Sequence, residues 1–402
     1  MTVLTTQNIY QHLDRMAEEA QESYEGNKKT GEMGAHSTSY RCSDPRVILT
    51  AILGIKTGDR HRIRGNIGGV FNPRKSKKTR RRLRRRIGYS NKKGDHKHRV
   101  SHVVLCVEHH SGTDVHRCCA GHNYDCNASF EAQEDLRGQV IEIFGGYPME
   151  GEDYPLVYAV VLRIDTDADA VTFYGEDPSD IHNRAETLTF SIAEFIDEFF
   201  DEDEGEGVIN WKAISNSVRR RRFAREVDKL YGHFRHDAKS FMQRRMECNF
   251  RHVRTIMQEG RPEKQSFNQA SCLLVGTGEP FPDRELVLEV TDSEDEVEEY
   301  SAKGLGVIAK NKRENRVTVE RGALMVCVPY DTAPDNPVIT DGEKEDAFES
   351  AENLARMLAS LVMRAYPELK DFFVPFVTIM DRATLELTHL KTVEQQFWQL
   401  AA

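Results

Sequence analysis

The run Cys42-Ser43-Asp44-Pro45-Arg46 places a thiolate, a carboxylate and a guanidinium within five residues, just before the apolar stretch Val47 to Ile55. That is half of a zinc site with a carboxylate switch built in. The other half is a histidine and a second thiolate. The segment Val103 to Cys126 offers both, as Glu108-His109-His110 and as Cys118-Cys119-Ala120-Gly121-His122. Zinc favours thiolate and imidazole in a tetrahedral shell, and a catalytic zinc keeps one position open beside three protein ligands. Cys42, one of His109 or His110, and one of Cys118 or Cys119 would make that shell. A bound metal lowers the pKa of its water towards neutrality, so such a site would hold hydroxide at physiological pH. Asp44 either reaches the metal or pairs with Arg46. In the second case the arginine fork holds the carboxylate off the metal and leaves an oxygen to orient the nucleophile. His116-Arg117-Cys118-Cys119 is an alternative pairing, a His-x-x-Cys in its own right. For proton export, His110, His116 and His122 are candidate shuttles or neighbours of the ligands.

The elements that must position these groups read as alternating strands and helices. Ser37 to Arg41 is a strand and Val47 to Leu53 a helix; His61 to Ile67, Val100 to Val107 and Leu156 to Ile164 are further strands, the last two almost wholly apolar. Continuous apolar strands separated by helices imply a sheet buried on both faces, an α/β layered architecture. Val171 to Tyr174 folds back on Leu156 to Ile164 through the turn Asp165 to Asp169. Helices fill Ile192 to Glu259, and Gly260-Arg261-Pro262 marks a boundary. Beyond it come strands Ser271 to Val275, Leu286 to Val290, Gly306 to Ala309 with a hairpin partner Val317 to Glu320, and Ala323 to Val328. A helix Glu345 to Ala365 and a strand Phe372 to Met380 follow. The chain thus divides into an N-terminal helical arm (1–36), a zinc-binding catalytic domain (37–260) with a basic insert (74–99), and a metal-free C-terminal α/β domain (261–402).

Composition sets the frame. At 402 residues the chain exceeds one ordinary core. With 39% hydrophobic and 30% charged residues it reads as globular, and no apolar run is long enough to span a bilayer. The N-terminus lacks the pattern of a secretory signal, which predicts a cytoplasmic protein. Eight cysteines do not read as a disulfide framework; Cys42, Cys106, Cys118, Cys119 and Cys126 cluster early, as metal or catalytic thiols do, whereas Cys248, Cys272 and Cys327 read as buried and inert. Arg74 to Arg99 carries fourteen Lys or Arg and one acid, a local +13 in a chain of net −10. Only Tyr89 is aromatic there, so base stacking is not provided for, and nucleic acid is the least favoured partner. An acidic run such as Asp197 to Glu206 or an acidic partner suits it better. Arg219 to Arg222 read as a solvated, salt-bridged helix, and Asp292 to Glu299 as a solvated loop.

Cys42-Ser43-Asp44-Pro45-Arg46 resembles the Cys-x-Asp-x-Arg signature of β-class carbonic anhydrases, and Gly58-Asp59 with Arg64-Gly65-Asn66-Ile67-Gly68 is similar to that family's Gly-Asp and Arg-Asn-x-Gly stretch. The family closes its site with His-x-x-Cys, which neither His109 nor His110 begins. The divergent carboxysome shell carbonic anhydrases separate His from Cys by a longer insert, and His109 to Asp114, Cys119-Ala120-Gly121-His122 and Ile164 to Ala170 are similar to their segments. The resemblance implies a zinc carbonic anhydrase, with Cys42, His109 and Cys119 as ligands and Asp44 and Arg46 as the dyad. It also implies a β-carbonic-anhydrase-like sheet with a degenerate second domain, a homodimer or higher homo-oligomer, and a carboxysomal place. Hydrolysis of carbonyl sulfide or carbon disulfide at the same site is the related reading. The rival is a structural zinc module that binds an acidic partner or RNA through residues 74–99.

Overall fold

The computed structural model describes residues 35–55 (except 43 and 45), 61–66, 69, 71, 101–113, 118–144, 157–175, 188–201, 208–261 (except 212), 269–278, 287–290, 297–332 (except 318), 337–401 (except 383) and a few isolated positions. The basic insert, apart from Arg80, lies outside the described residues, as do His116 and most of the N-terminal arm, of which Gln11, Arg15, Glu18, Gln21 and Glu22 are helical.

The first half is built on β1 (His36–Cys42), α1 (Leu49–Ile52), β2 (His61–Asn66), β3 (His102–His110), α2 (Cys126–Ile143), β4 (Val157–Asp165), β5 (Ala170–Tyr174) and β6 (Thr189–Ser191). After it come α3 (Ile192–Asp197), the short pair β7 (Phe200–Asp201) and β8 (Val208–Ile209), then α4 (Asn216–Tyr231) and α5 (His236–Glu259). The sheet order is β2-β1-β3-β4-β5-β6, with the first four strands parallel and the last two antiparallel. Alternate residues of the parallel strands feed two cores. Val103, Leu105 and Val107 pack with α1 and α3–α5, while Tyr40, Val104 and Cys106 pack with Leu136 and Val140 of α2. This two-sided burial is why those strands read as continuous apolar runs.

One polar side chain ties the helical layer to the sheet. Asn249 of α5, fully buried, donates to Ile52 O (3.1 Å) and Asp169 O (2.8 Å) and accepts from Val171 N at 2.9 Å. The run Arg219 to Arg222 departs in part from the solvated helix expected. Arg222 pairs with Glu198 and Glu226, but Arg219 is buried, 2.7 Å from Glu247 and over the Phe250 ring.

The second half contains β9 (Cys272–Gly276), β10 (Val287–Val290), α6 (Val297–Arg313), β11 (Gly322–Tyr330), α7 (Pro337–Ala365), β12 (Phe373–Asp381), β13 (Leu387–His389) and α8 (Lys391–Gln395). Its order, β10-β9-β11-β12-β13, and its parallel and antiparallel pairings repeat those of β2-β1-β3-β4-β5. The expected strand at Gly306 to Ala309, its partner Val317 to Glu320 and the acidic loop up to Glu299 are corrected: α6 runs through the first and begins within the last, and the described residues of Val317 to Glu320 form no strand. The buried residues Tyr300, Gly304 and Ile308, with Ser301, Leu305 and Ala309 beside them, recur at helical spacing. Glu298 and Glu299 sit in the first turn and Lys310, Lys312 and Arg313 in the last, the signs that suit the helix dipole. A four-residue apolar window could not carry that longer pattern.

Among the described residues no helix is long and apolar enough to cross a membrane. Asn249→Ala removes three buried hydrogen bonds to backbone groups, so at roughly 1 kcal/mol each the first half should lose about 3 kcal/mol. Urea denaturation monitored by fluorescence reads this, and an unchanged midpoint would contradict it.

Candidate metal centre

Cys42 closes β1 and His109 lies one residue before the end of β3, the neighbouring parallel strand. From β1 the chain passes to β2 on one side, then crosses to β3 on the other. That reversal opens a crevice at the carboxyl ends of β1 and β3, where open α/β sheets hold their ligands.

The third group arrives on a tied loop. Cys118 bridges antiparallel to His110, and Cys118 is joined to Cys126 by a disulfide. The Cys119 carbonyl accepts from His122 N and Tyr124 N, and the Asp125 side chain caps α2 by accepting from Asn127 N and Ala128 N. Cys119 is thereby delivered to the crevice: its Sγ lies 3.0 Å from Cys42 Sγ, and donor atoms of Cys42, His109 and Cys119 all lie within 4.8 Å of one another. All three are buried. The open choice between Cys118 and Cys119 thus resolves towards Cys119, and the reading of the early cysteines as metal or catalytic thiols is corrected for Cys118 and Cys126, which form a disulfide. The choice between histidines resolves towards His109, because the strand alternation turns half-buried His110 away from the cluster.

Asp44 is buried but stands outside the three-residue cluster. Its carboxylate is held by Arg46, through the backbone N (2.9 Å), Nε (3.1 and 3.3 Å) and Nη2 (2.8 Å). The nearer approach to the ligands is Oδ2, 4.0 Å from His109 Nε2. Although burial pushes Asp44 up, the charges of His109 and Arg46 hold it at about 2. Burial likewise pushes His109 down, yet the Cys42 thiolate and Asp44 beside it raise it to about 8. A thiol hydrogen bond from Cys119 and the His109 charge pull Cys42 well below the usual thiol range, and the same bond with burial pushes Cys119 well above it. These shifts favour a thiolate at Cys42, a thiol at Cys119 and a protonated His109 before a metal binds.

That donor set fits a metal ion. Neither ring nitrogen of His109 has a hydrogen bond of ordinary geometry among the described residues, although both are buried. An orphaned buried nitrogen costs about 1–3 kcal/mol, which a coordinate bond would offset. Two thiolates and a neutral imidazole are a three-ligand set for zinc or a similar borderline-soft cation.

Around the cluster stand groups that spacing did not reveal. Glu108, buried in β3, pairs with Arg163 at 2.8 Å and is raised to about 6 by burial. His110 Nδ1 lies 4.0 Å from Glu108 Oε2, and burial and then Arg163 lower its pKa. The β4–β5 turn supports the loop after His110: Asp167 accepts from Ser111 Oγ (2.7 Å), Gly112 N (2.7 Å) and Thr113 N (2.9 Å), and Thr166 donates to His110 O. Arg261 in turn donates to the Thr166 and Asp167 carbonyls and pairs with Asp169. The readable signal was a lone acid within an otherwise apolar strand, which demands a buried partner. His122 is half-buried at the single 3-10 turn after Cys119.

No protein-family model and no curated protein matches this chain.

Metal binding needs two thiolates and a neutral imidazole, so uptake at pH 7 must expel the Cys119 and His109 protons. Affinity should therefore rise with pH, by about a hundredfold per pH unit below 8 and about tenfold above it. Competition against a chromophoric chelator from pH 6 to 9 checks the slope, and a flat profile would contradict it. In the same assay Cys119→Ser should lose tight binding, whereas Cys118→Ser should keep it within about tenfold; the reverse order would reassign the ligand.

Proposed function

We propose that the chain is a zinc carbonic anhydrase that interconverts carbon dioxide and bicarbonate. One observation carries the reading: a buried Cys42, His109 and Cys119 set in which no fourth donor joins among the described residues, with Asp44 held beside it by Arg46. Zinc bound there would ionise a water near neutral pH and so provide the nucleophile for carbon dioxide. Two thiolates would balance the charge of a dication, leaving the water-bound centre neutral without a counterion.

Asp44 is the acceptor that orients the nucleophile's remaining hydrogen. It can do so only while ionised, and Arg46 keeps it ionised in a buried setting where a lone carboxyl would take up a proton. Because both carboxylate oxygens already accept from Arg46, Asp44 cannot swing freely to become a ligand. A structural zinc module would instead want a closed shell of four protein donors. Carbonyl sulfide, linear and isoelectronic in its valence shell with carbon dioxide, could meet the same nucleophile.

Stopped-flow hydration of carbon dioxide with a pH indicator tests the reading on zinc-loaded protein at pH 8. Acceleration over buffer is expected, abolished by Cys42→Ser. Asp44→Asn should lower kcat by about a hundredfold at unchanged zinc content. A fully metal-loaded chain that does not accelerate hydration would sink the reading.

A further inference from the structure

None of Cys42, His109 and Cys119 comes from the second half, yet one of its side chains reaches the loop that bears Cys42 and Asp44. Arg41, the residue before Cys42, is buried, and its Nη1 donates to Cys42 O (2.6 Å) and Asp44 O (3.3 Å). One guanidinium thus ties both ends of the three-residue segment that presents the thiolate and the carboxylate. Its Nη2 pairs with Glu289 Oε2 at 3.2 Å, and Glu289 is fully buried in β10. The two sheets meet where the edge strand β2 lies against the edge strand β10.

The strand between the pair is shaped for this contact. A Cβ at Gly65 of β2 would lie 2.9 Å from Glu289 Oε2 and 3.0 Å from Glu289 Cβ. Any larger residue there would displace the carboxylate from Arg41. Gly65, Arg41 and Glu289 come from three separate strands and serve one contact. A guanidinium this deeply buried is held in place by its counter-charge. Its other nitrogen then has a fixed position from which to hold two carbonyls.

We propose that Glu289, acting through Arg41, is a positioning residue of the metal centre, so that the metal-free half sets the geometry of Cys42 and Asp44. The proposal rests on the metal-centre reading but not on the identity of the reaction. Groups that orient metal ligands from behind typically change affinity by ten- to a hundredfold when removed.

Cobalt(II), added to the metal-stripped full chain, is the probe, read by its thiolate charge-transfer and ligand-field absorption and by its affinity. Glu289→Gln keeps the shape and removes the charge. It should weaken cobalt binding about tenfold and shift the absorption bands, while far-ultraviolet circular dichroism stays that of the parent. Glu247→Gln, which breaks the Arg219 pair on the helical layer, is the control for mere destabilisation and should leave the cobalt spectrum unmoved. Should Glu289→Gln not fold, Gly65→Ala decides the matter, because it keeps every charge and only pushes the carboxylate aside; the same spectral shift is expected. A folded Glu289→Gln or Gly65→Ala protein with parental cobalt affinity and spectrum overturns the proposal. A parent chain that binds no cobalt overturns the metal centre and the proposal together. A parent that binds cobalt and responds to Glu289→Gln, yet does not hydrate carbon dioxide as the zinc form, supports the proposal and sinks only the reaction.

Discussion

The structure depends on charge balance in a dry crevice. Cys42, Cys119, His109, Asp44 and Arg46 come together with almost no solvent, where an uncompensated charge is expensive. Without metal the balance is two ion pairs, Cys42 thiolate with His109 imidazolium and Asp44 with Arg46. Arg46 is the member that cannot give up its charge, so it fixes Asp44 as an anion whatever happens at the sulfurs. The proton shared between the two sulfurs and the one on His109 are the replaceable members. Exchange of those two protons for a dication leaves the total charge unchanged, which is why the site can be buried in both states.

Rigidity around that crevice comes from the backbone rather than from the ligands. Two ligands occupy the ends of adjacent parallel strands, whose register is fixed by the ladders of β1 and β3. The third sits in a loop closed by the Cys118–Cys126 disulfide and by hydrogen bonds to its own carbonyl. The aspartate-rich β4–β5 turn, Thr166 and Asp167 above all, holds the far side of the His109 segment. Sites carried on paired strands keep their geometry better than sites on free loops.

Much of this was legible in the chain. The strands that carry Cys42 and His109 were readable because burial on both faces writes a continuous apolar run. The Asp44–Arg46 pair was readable because its partners are two residues apart. Cys118 and Cys119 could not be separated by spacing, since adjacent residues reach the same region and only the partner at Cys126 distinguishes them. The helix α6 escapes a strand-length window because Gly306 to Ala309 is a short run that fits either period, while its buried face recurs over the longer span Tyr300 to Ala309. Arg41 and Glu289 were invisible as a pair, being 248 residues apart, although each lies in a stretch that reads as a strand.

The repeated topology explains how a half without ligands can still shape the site. At the carboxyl end of β9, where β1 ends in Cys42, the chain places Gly276 with φ 111°. A Cβ there would lie 2.1 Å from Cys327 O, so no side chain of any kind can stand at that strand end. The segment of β11 that follows Cys327 is Val328-Pro329-Tyr330, which offers no imidazole. At this strand end the backbones of β9 and β11 stay paired, and Thr277 N donates to Cys327 O at 2.8 Å. What the second sheet keeps is its edge. With β10 lying against β2, an acid on β10 is separated from β1 by a single strand, and the missing side chain of Gly65 opens the way. On the proposed role of Glu289, a half that supplies none of Cys42, His109 and Cys119 still bears on the centre through a buried charge that crosses the seam.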